Sequence, residues 1–136
     1  MSWDVLFVRL PPGTSSLGDL GTNFSPHPLA TRRELVASIR QLVPEADFTD
    51  PAWGSFVGED FTIAFDLATD PVESMTLHVR GGPAAFGFVR ELSAWLALPA
   101  IDGTTGDVID FAAPDADRGF KAWRAYRDRI VGQSHE

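Results

Sequence analysis

The chain has 136 residues, no cysteine and a formal net charge of -8. This length is typical of one domain, so we expect residues 1–136 to form a single domain that needs neither disulfides nor a structural metal. The negative charge disfavours nucleic acid and anionic membranes as partners, and no apolar run approaches the roughly 18 residues of a membrane span. We therefore expect a soluble protein located in the cytoplasm.

The first predicted element is a strand at residues 2–9. The run from Val5 to Val8 is continuously apolar, which is typical of a strand buried on both faces near the middle of a sheet. Residues 11–28 follow as a loop rich in proline, glycine and serine, and loops of this length are often functional.

The next predicted element is a helix that begins after Thr31. Thr31 and Glu34 match a capping box, in which each side chain accepts a hydrogen bond from a backbone N–H at the start of the helix. Pro44 ends the helix, because the residue before a proline leaves the helical region. An apolar stripe at helical spacing predicts the packed face: Leu35, Val36, Ile39, Leu42 and Val43.

Residues 55–81 are predicted to form an antiparallel meander. Apolar and polar residues alternate, so each strand has one buried and one solvated face. A short strand before Phe61 would place Phe56 opposite Ile63. The predicted inward residues are Phe61, Ile63, Phe65, Leu67, Met75, Leu77 and Val79.

The second half of the chain completes the predicted fold. Residues 81–83, Gly-Gly-Pro, open a second helix that ends before Pro99. Ile101 and Val108 flank a small predicted hairpin, and a third helix is predicted at residues 116–131. The order β-α-β-β-β-α-β-β-α predicts an α+β domain with about three helices packed on a mainly antiparallel sheet.

The tryptophans divide into core candidates and one exception. Trp53 follows a turn with the sequence DPA and either caps the sheet edge or is exposed to bind a partner. Phe120 and Ile130 accompany the tryptophan of the third helix on its predicted packed side. The three predicted core tryptophans are Trp3, Trp95 and Trp123.

The solvated face of the meander carries the candidate polar site. Asp66, His78 and Arg80 lie on it, and Asp60 is close in sequence. In one antiparallel register Thr62 faces His78, and in the next it faces Arg80. A histidine beside a carboxylate suits acid–base chemistry, and an arginine suits an anionic substrate. We favour cross-strand polar pairing, worth roughly 0.2–1 kcal/mol per pair, since no nucleophile motif accompanies the histidine.

Ion-binding sites are a second kind of site that the sequence suggests. The Arg-Gly-Gly segment 80–82 is either an anion site at a helix start or a tight turn that needs positive φ. Asp102 and Asp107 face each other across the hairpin and either hold a cation or point apart into water, which we favour because the ligand count is low. No metal site or cofactor is predicted from the scattered histidines His27, His78 and His135.

The charge is unevenly distributed along the chain. Residues 118–129 hold five basic residues against Asp128, a balance of +4, so the remainder of the chain carries -12. Either the third helix lies on the acidic body with its arginines paired internally, or the dipolar surface steers a charged partner.

Three segments resemble a family of small bacterial proteins. They are MSWDVLFV at the start, DFTDPAWGSF in the middle and LHVRGG before the second helix. The resemblance covers most of residues 1–111 and implies a bacterial, single-domain, cytosolic protein, but it carries over no activity and no catalytic residue. In general character, small acidic α+β proteins of this kind are similar to immunity proteins, which neutralise a toxin.

We therefore expect a non-enzymatic protein-binding domain, with a toxin-neutralising immunity protein as the specific hypothesis and a basic toxin-like protein as the partner. The candidate binding residues are Trp53, Asp66, His78 and Arg80, and no catalytic residue is assigned. The alternative is a small enzyme or a small-molecule or anion binder that uses the open sheet face around Asp66, His78 and Arg80. A large cleft at those side chains would favour the alternative.

Overall fold

A computed structural model describes residues 2–21, 24–67 and 69–134, with the backbone alone at 131–134. The strands within these residues are β1 (Trp3–Val8), β2 (Trp53–Val57), β3 (Phe61–Asp66), β4 (Ser74–Gly81) and β5 (Ala100–Asp102). The α-helices are α1 (Arg32–Leu42), α2 (Ala84–Leu96) and α3 (Arg118–Ser134), and a short 3-10 helix lies at Leu17–Asp19.

The predicted α+β fold is confirmed. The strands form one antiparallel sheet in the order β2-β3-β4-β1-β5. The last predicted strand is a single antiparallel bridge between Val108 and Ile101. Within the described part of the chain, no helix combines the length and the apolar character needed to cross a membrane.

Strand β1 lies inside the sheet, between β4 and β5. Val5 and Phe7 are fully buried in the core. Val8 and Ile101 are also buried but lie outside the core cluster, because they belong to the opposite face of the sheet. The predicted burial on both faces holds for Val8 and only in part for the half-buried Leu6.

Helices α1 and α2 contribute buried residues to the core on the inner face of the sheet. The predicted capping box is present: Thr31 Oγ1 accepts from Glu34 N at 3.2 Å, and Glu34 Oε1 accepts from Thr31 N at 3.3 Å. Leu35 and Ile39 of α1 are buried. The buried residues of α2 are Ala85, Phe88, Val89 and Leu92.

The prediction that Trp95 lies in the core is wrong. Its side chain is 47% exposed at the end of α2. The indole Nε1 donates to the carbonyl of Ser38 in α1 at 2.8 Å. This exposed hydrogen bond joins the end of α2 to α1, so the ring lies at the rim of the contact between the two helices.

Helix α3 packs through its first turns. Phe120 is 2% exposed, and its ring centroid lies 5.0 Å from that of Trp3. Trp123 is half-buried beside Phe120. The expectation that Ile130 joins this packed side is wrong, because its side chain is 41% exposed.

Candidate functional site

The outer face of the sheet is the solvated face of the meander. Phe61, Ile63 and Phe65 point to the core, so Thr62, Ala64 and Asp66 point outward. In the β3–β4 pairing Thr62 faces Arg80 and Ala64 faces His78, which selects the second of the two predicted registers.

His78 makes its hydrogen bond to a residue that the sequence did not indicate. Its Nδ1 lies 2.8 Å from Oδ1 of Asp4, which faces it directly in the β1–β4 pairing. The two side chains are 25% and 47% exposed, respectively. Asp66 faces Thr76 on β4, as in the second predicted register, so the carboxylate beside His78 is that of Asp4.

Trp53 lies at the edge of the sheet and is also partly exposed, so it has features of both predicted alternatives. It begins the edge strand β2, where it faces Asp66, and its side chain is 43% exposed. Its ring centroid lies 5.6 Å from that of His78, two strands away. Ala64 faces His78 on the strand between them, and its small side chain leaves room for the indole to cross the sheet.

A cleft of about 410 Å³ adjoins the indole and is lined by the side chains of Asp47 and Asp50. Oδ1 of Asp50 accepts from the backbone N–H groups of Ala52 and Trp53 at 2.8 and 3.3 Å. Oδ1 of Asp47 accepts from Thr49 Oγ1 at 2.6 Å and from its backbone N at 2.9 Å.

The same bonds stabilise the ionised form of Asp47. The side-chain and backbone hydrogen bonds from Thr49, followed by the charge of Arg40, hold the pKa of Asp47 below its ordinary value. A carboxylate with a lowered pKa stays ionised at neutral pH. We call the indole and its polar neighbours the Trp53 surface, which consists of Trp53, His78, Asp47, Asp50 and Asp66.

Arg80 lies two residues after His78 on the outer face of β4, and Asp60 lies in the turn before β3. Arg80 is exposed opposite Thr62. The Asp60 carboxylate packs against Gly82, where a Cβ would overlap it, and the carbonyl of Asp60 accepts from Gly82 N at 2.8 Å. Gly81 has a φ of 118°, so the glycines serve the tight turn, and the adjacent carboxylate opposes the binding of an anion there.

The larger clefts lie away from His78. Among the described residues, the largest has about 710 Å³ and is formed by segments 9–12 and 24–27 with residues 97–99. His27 lines this cleft, and His135 lies outside the described residues. No group of three or more potential ligands is arranged to hold a metal ion in the part of the chain that the structure describes.

Of the two hairpin aspartates, Asp107 is exposed to water as expected and Asp102 is not. Asp102 N donates to the Asp107 carbonyl at 3.0 Å, so the two residues face each other as predicted. The Asp102 side chain, however, is only 6% exposed, because it turns inward against Gly119 at the start of α3.

The chain matches no protein-family model, no curated protein and no solved structure. The resemblance to a family of small bacterial proteins therefore stays a prediction.

Proposed function

We propose that the chain is a non-enzymatic protein-binding domain that recognises a basic protein through the Trp53 surface. The observation that carries the proposal is the exposed indole of Trp53, which packs against the ring of His78 at a tilt of 31° and adjoins a cleft lined by Asp47 and Asp50. Tryptophan is enriched among the residues that dominate binding energy, and such residues often cost about 2 kcal/mol or more when truncated.

The charges of the surface favour a basic partner. Asp47 and Asp50 line the cleft beside the indole, and Asp66 faces Trp53 in the β2–β3 pairing, so three carboxylates lie near the ring. A lysine or arginine side chain of the partner gains a cation–π contact on the ring and an ion pair with a carboxylate. The overall charge of -8 adds long-range attraction that accelerates association at low salt.

A toxin-neutralising immunity protein is the specific form of this proposal. An acidic inhibitor suits a basic toxin, because a nuclease or a similar enzyme that acts on an anionic substrate has a cationic active site. The positions of the clefts support binding over catalysis, since the largest one in the described residues lies away from His78.

The test is a differential affinity capture from the organism that encodes the chain. Wild-type protein, Trp53→Ala and the matched control Trp95→Ala serve as baits, because both indoles are exposed to a similar extent on different elements. We expect a basic protein to be retained by wild type and Trp95→Ala and lost with Trp53→Ala. Raising the salt from about 0.05 to 0.5 M should weaken retention, since screening shortens the range of charge attraction.

Two outcomes would contradict the proposal. One is a set of captured proteins that does not depend on Trp53. The other is a Trp53-dependent protein that is acidic or that binds equally well at high salt.

One observation favours a second function, a small enzyme or anion binder at the same face. Asp4 orients His78 through Nδ1, which is the arrangement that positions a general base. Titration with inorganic phosphate followed by ¹H–¹⁵N NMR tests it, because an anion site would give saturable shifts at His78 and Arg80. If these shifts appear and Asp4→Asn abolishes them, this second function replaces the first.

A further inference from the structure

A second surface lies between residues 102–107 and the start of α3. A cleft of about 240 Å³ and an apolar cleft of about 490 Å³ share Thr105, Arg118 and Gly119, so the two adjoin. We call the joined space the hairpin groove. One end is lined by Asp102, Asp107, Asp110 and Asp115, and the other by Ala122, Trp123 and Tyr126.

Asp102 is the buried charged side chain at the acidic end. It is 6% exposed, and its Oδ1 accepts from Thr104 N at 2.8 Å. Among the described residues, no side-chain cation pairs with it and no hydrogen-bond donor reaches Oδ2, which packs against Gly119. The adjacent N-terminus of α3 supplies roughly half a positive charge. Because buried carboxylates are normally paired with a cation, positive charge is still lacking at this end of the groove.

The residues that line the groove are negative in sum, although α3 as a whole is basic. Arg118 is the cation among its lining residues, and its side chain is 80% exposed and lies 3.6 Å from Asp115. The carboxylates are not arranged as metal ligands, since the described residues contain no group that could hold a metal ion. Carboxylates that do not converge on one point suit an ammonium group better than a metal ion. An ammonium group binds through individual hydrogen bonds and needs no convergent set of oxygen ligands.

The apolar end provides room for the body of a ligand. Gly119 and Ala122 present no long side chain on that part of α3, which leaves the space open beside the aromatic rings. Tyr126 is 49% exposed and Trp123 is half-buried. The guanidinium groups of Arg127 and Arg129 lie over a face of Trp123 and of Tyr126, at 5.1 and 5.8 Å from the ring centroids, so we assign the two rings to hydrocarbon contact with the body of the ligand and not to a cation–π contact.

We propose that the hairpin groove binds a primary ammonium compound with an apolar body. The ammonium group donates to Asp102 at the acidic end, and the apolar body lies along Trp123 and Tyr126. This site shares no residue with the Trp53 surface, so a negative result for one proposal does not affect the other.

The test uses 2-phenylethylamine as the probe, followed by ¹H–¹⁵N NMR and by calorimetry. We expect saturable shifts confined to the amides of residues 104–107 and 118–126. The matched neutral compound 2-phenylethanol should bind at least about tenfold more weakly, because it lacks the charge-assisted hydrogen bond. Magnesium chloride at the same concentration should give no saturable shift in these residues.

Three variants sharpen the test. Asp102→Asn should weaken binding of 2-phenylethylamine at least about tenfold, and Tyr126→Ala should weaken it less. Arg118→Gln should strengthen binding about twofold to fivefold, because it removes an exposed cation that competes with the ligand for the carboxylates.

The proposal is overturned if 2-phenylethylamine gives no saturable shift, if 2-phenylethanol binds equally well, or if Arg118→Gln fails to strengthen binding. The last two comparisons do not involve Asp102, so they decide the proposal even if Asp102→Asn does not fold.

Discussion

His78 Nδ1 and Asp4 Oδ1 lie 2.8 Å apart, and the two residues face each other directly across β4 and β1. Ser2 Oγ donates to the same oxygen of Asp4 at 2.5 Å. The indole of Trp53 packs against the histidine ring, with the two ring planes tilted by 31°. A carboxylate that is 74 residues distant in sequence therefore positions the histidine at the centre of the Trp53 surface.

The Asp4–His78 bond should contribute little to stability. Both side chains are more than a fifth exposed, and partly exposed ion pairs are typically worth about 0–1 kcal/mol. We expect His78→Ala to lower the free energy of unfolding by no more than about 1 kcal/mol. A double-mutant cycle with Asp4→Asn, measured by urea denaturation, should give a coupling of similar size. A coupling of several kcal/mol would show that the pair behaves as a buried structural ion pair.

The turn between β4 and α2 should tolerate no side chain at Gly81. A Cβ there would overlap the backbone of Asp60 and Phe61, and the φ of 118° is unfavourable for any other residue. We expect Gly81→Ala to cost about 1–3 kcal/mol in chemical denaturation. The matched control is Gly87→Ala in α2, where no atom lies within 4 Å of the added Cβ, and it should stabilise by up to about 1 kcal/mol.

Gly82 allows a rescue experiment at the same turn. A Cβ at this position would overlap the Asp60 carboxylate, which belongs to a side chain and is able to move. The loss of stability in Gly82→Ala should therefore be relieved in part by Asp60→Ala, whereas that in Gly81→Ala should not. Equal relief of both variants would mean that the Asp60 backbone is not the obstacle at Gly81.

The pKa of Asp47 should depend on the hydroxyl of Thr49. The side-chain hydrogen bond from Thr49 is the largest cause of the lowered pKa. We expect Thr49→Val to raise this pKa toward its ordinary value, as followed by NMR of the carboxyl carbon, and Thr49→Ser to leave it low. An unchanged pKa in Thr49→Val would assign the effect to the backbone bond or to Arg40.

The sign of the linked pH dependence follows from the direction of this shift. A carboxyl group whose pKa is lower in the folded state stabilises the fold above its unfolded pKa. That contribution is lost as the pH falls through the folded pKa. Thr49→Val should therefore make stability less sensitive to acidification in the range below the ordinary pKa of an aspartate.

Local patterns predicted the elements and the faces well. Alternation in β3 and β4 assigned Phe65 and Leu77 to the core, and the capping box located the start of α1 at Thr31. These signals are local, because period and cap are read within a few residues.

The neighbours of the site could not be predicted in the same way. The Asp4–His78 contact depends on strand order, which places β1 beside β4 across most of the chain. The prediction that Trp95 lies in the core was wrong for a different reason. Helical spacing assigns a residue to a face, but it does not show where along the helix the core ends or that Ser38 would accept from the indole.

Helix α3 also shows that helical spacing does not reveal where along a helix the packing ends. Its packing against the rest of the fold begins at Phe120, which contacts Trp3, and continues to Arg127, whose Nη1 donates to the carbonyl of Gly81 at 3.0 Å. Trp123 lies between them and is half-buried, with the guanidinium of Arg127 5.1 Å from its ring centroid. Ile130 lies beyond this segment and is exposed.

Replacing single side chains of α3 by alanine should therefore lower the free energy of unfolding, by amounts that decrease from Phe120 to Ile130. Phe120→Ala removes a fully buried ring and should cost about 3–5 kcal/mol. Trp123→Ala should cost about half as much, since only part of its surface is removed from water. Ile130→Ala should change stability by no more than about 0.5 kcal/mol. Urea denaturation followed by circular dichroism measures all three, and a neutral Phe120→Ala would show that α3 is not docked on the sheet through this residue.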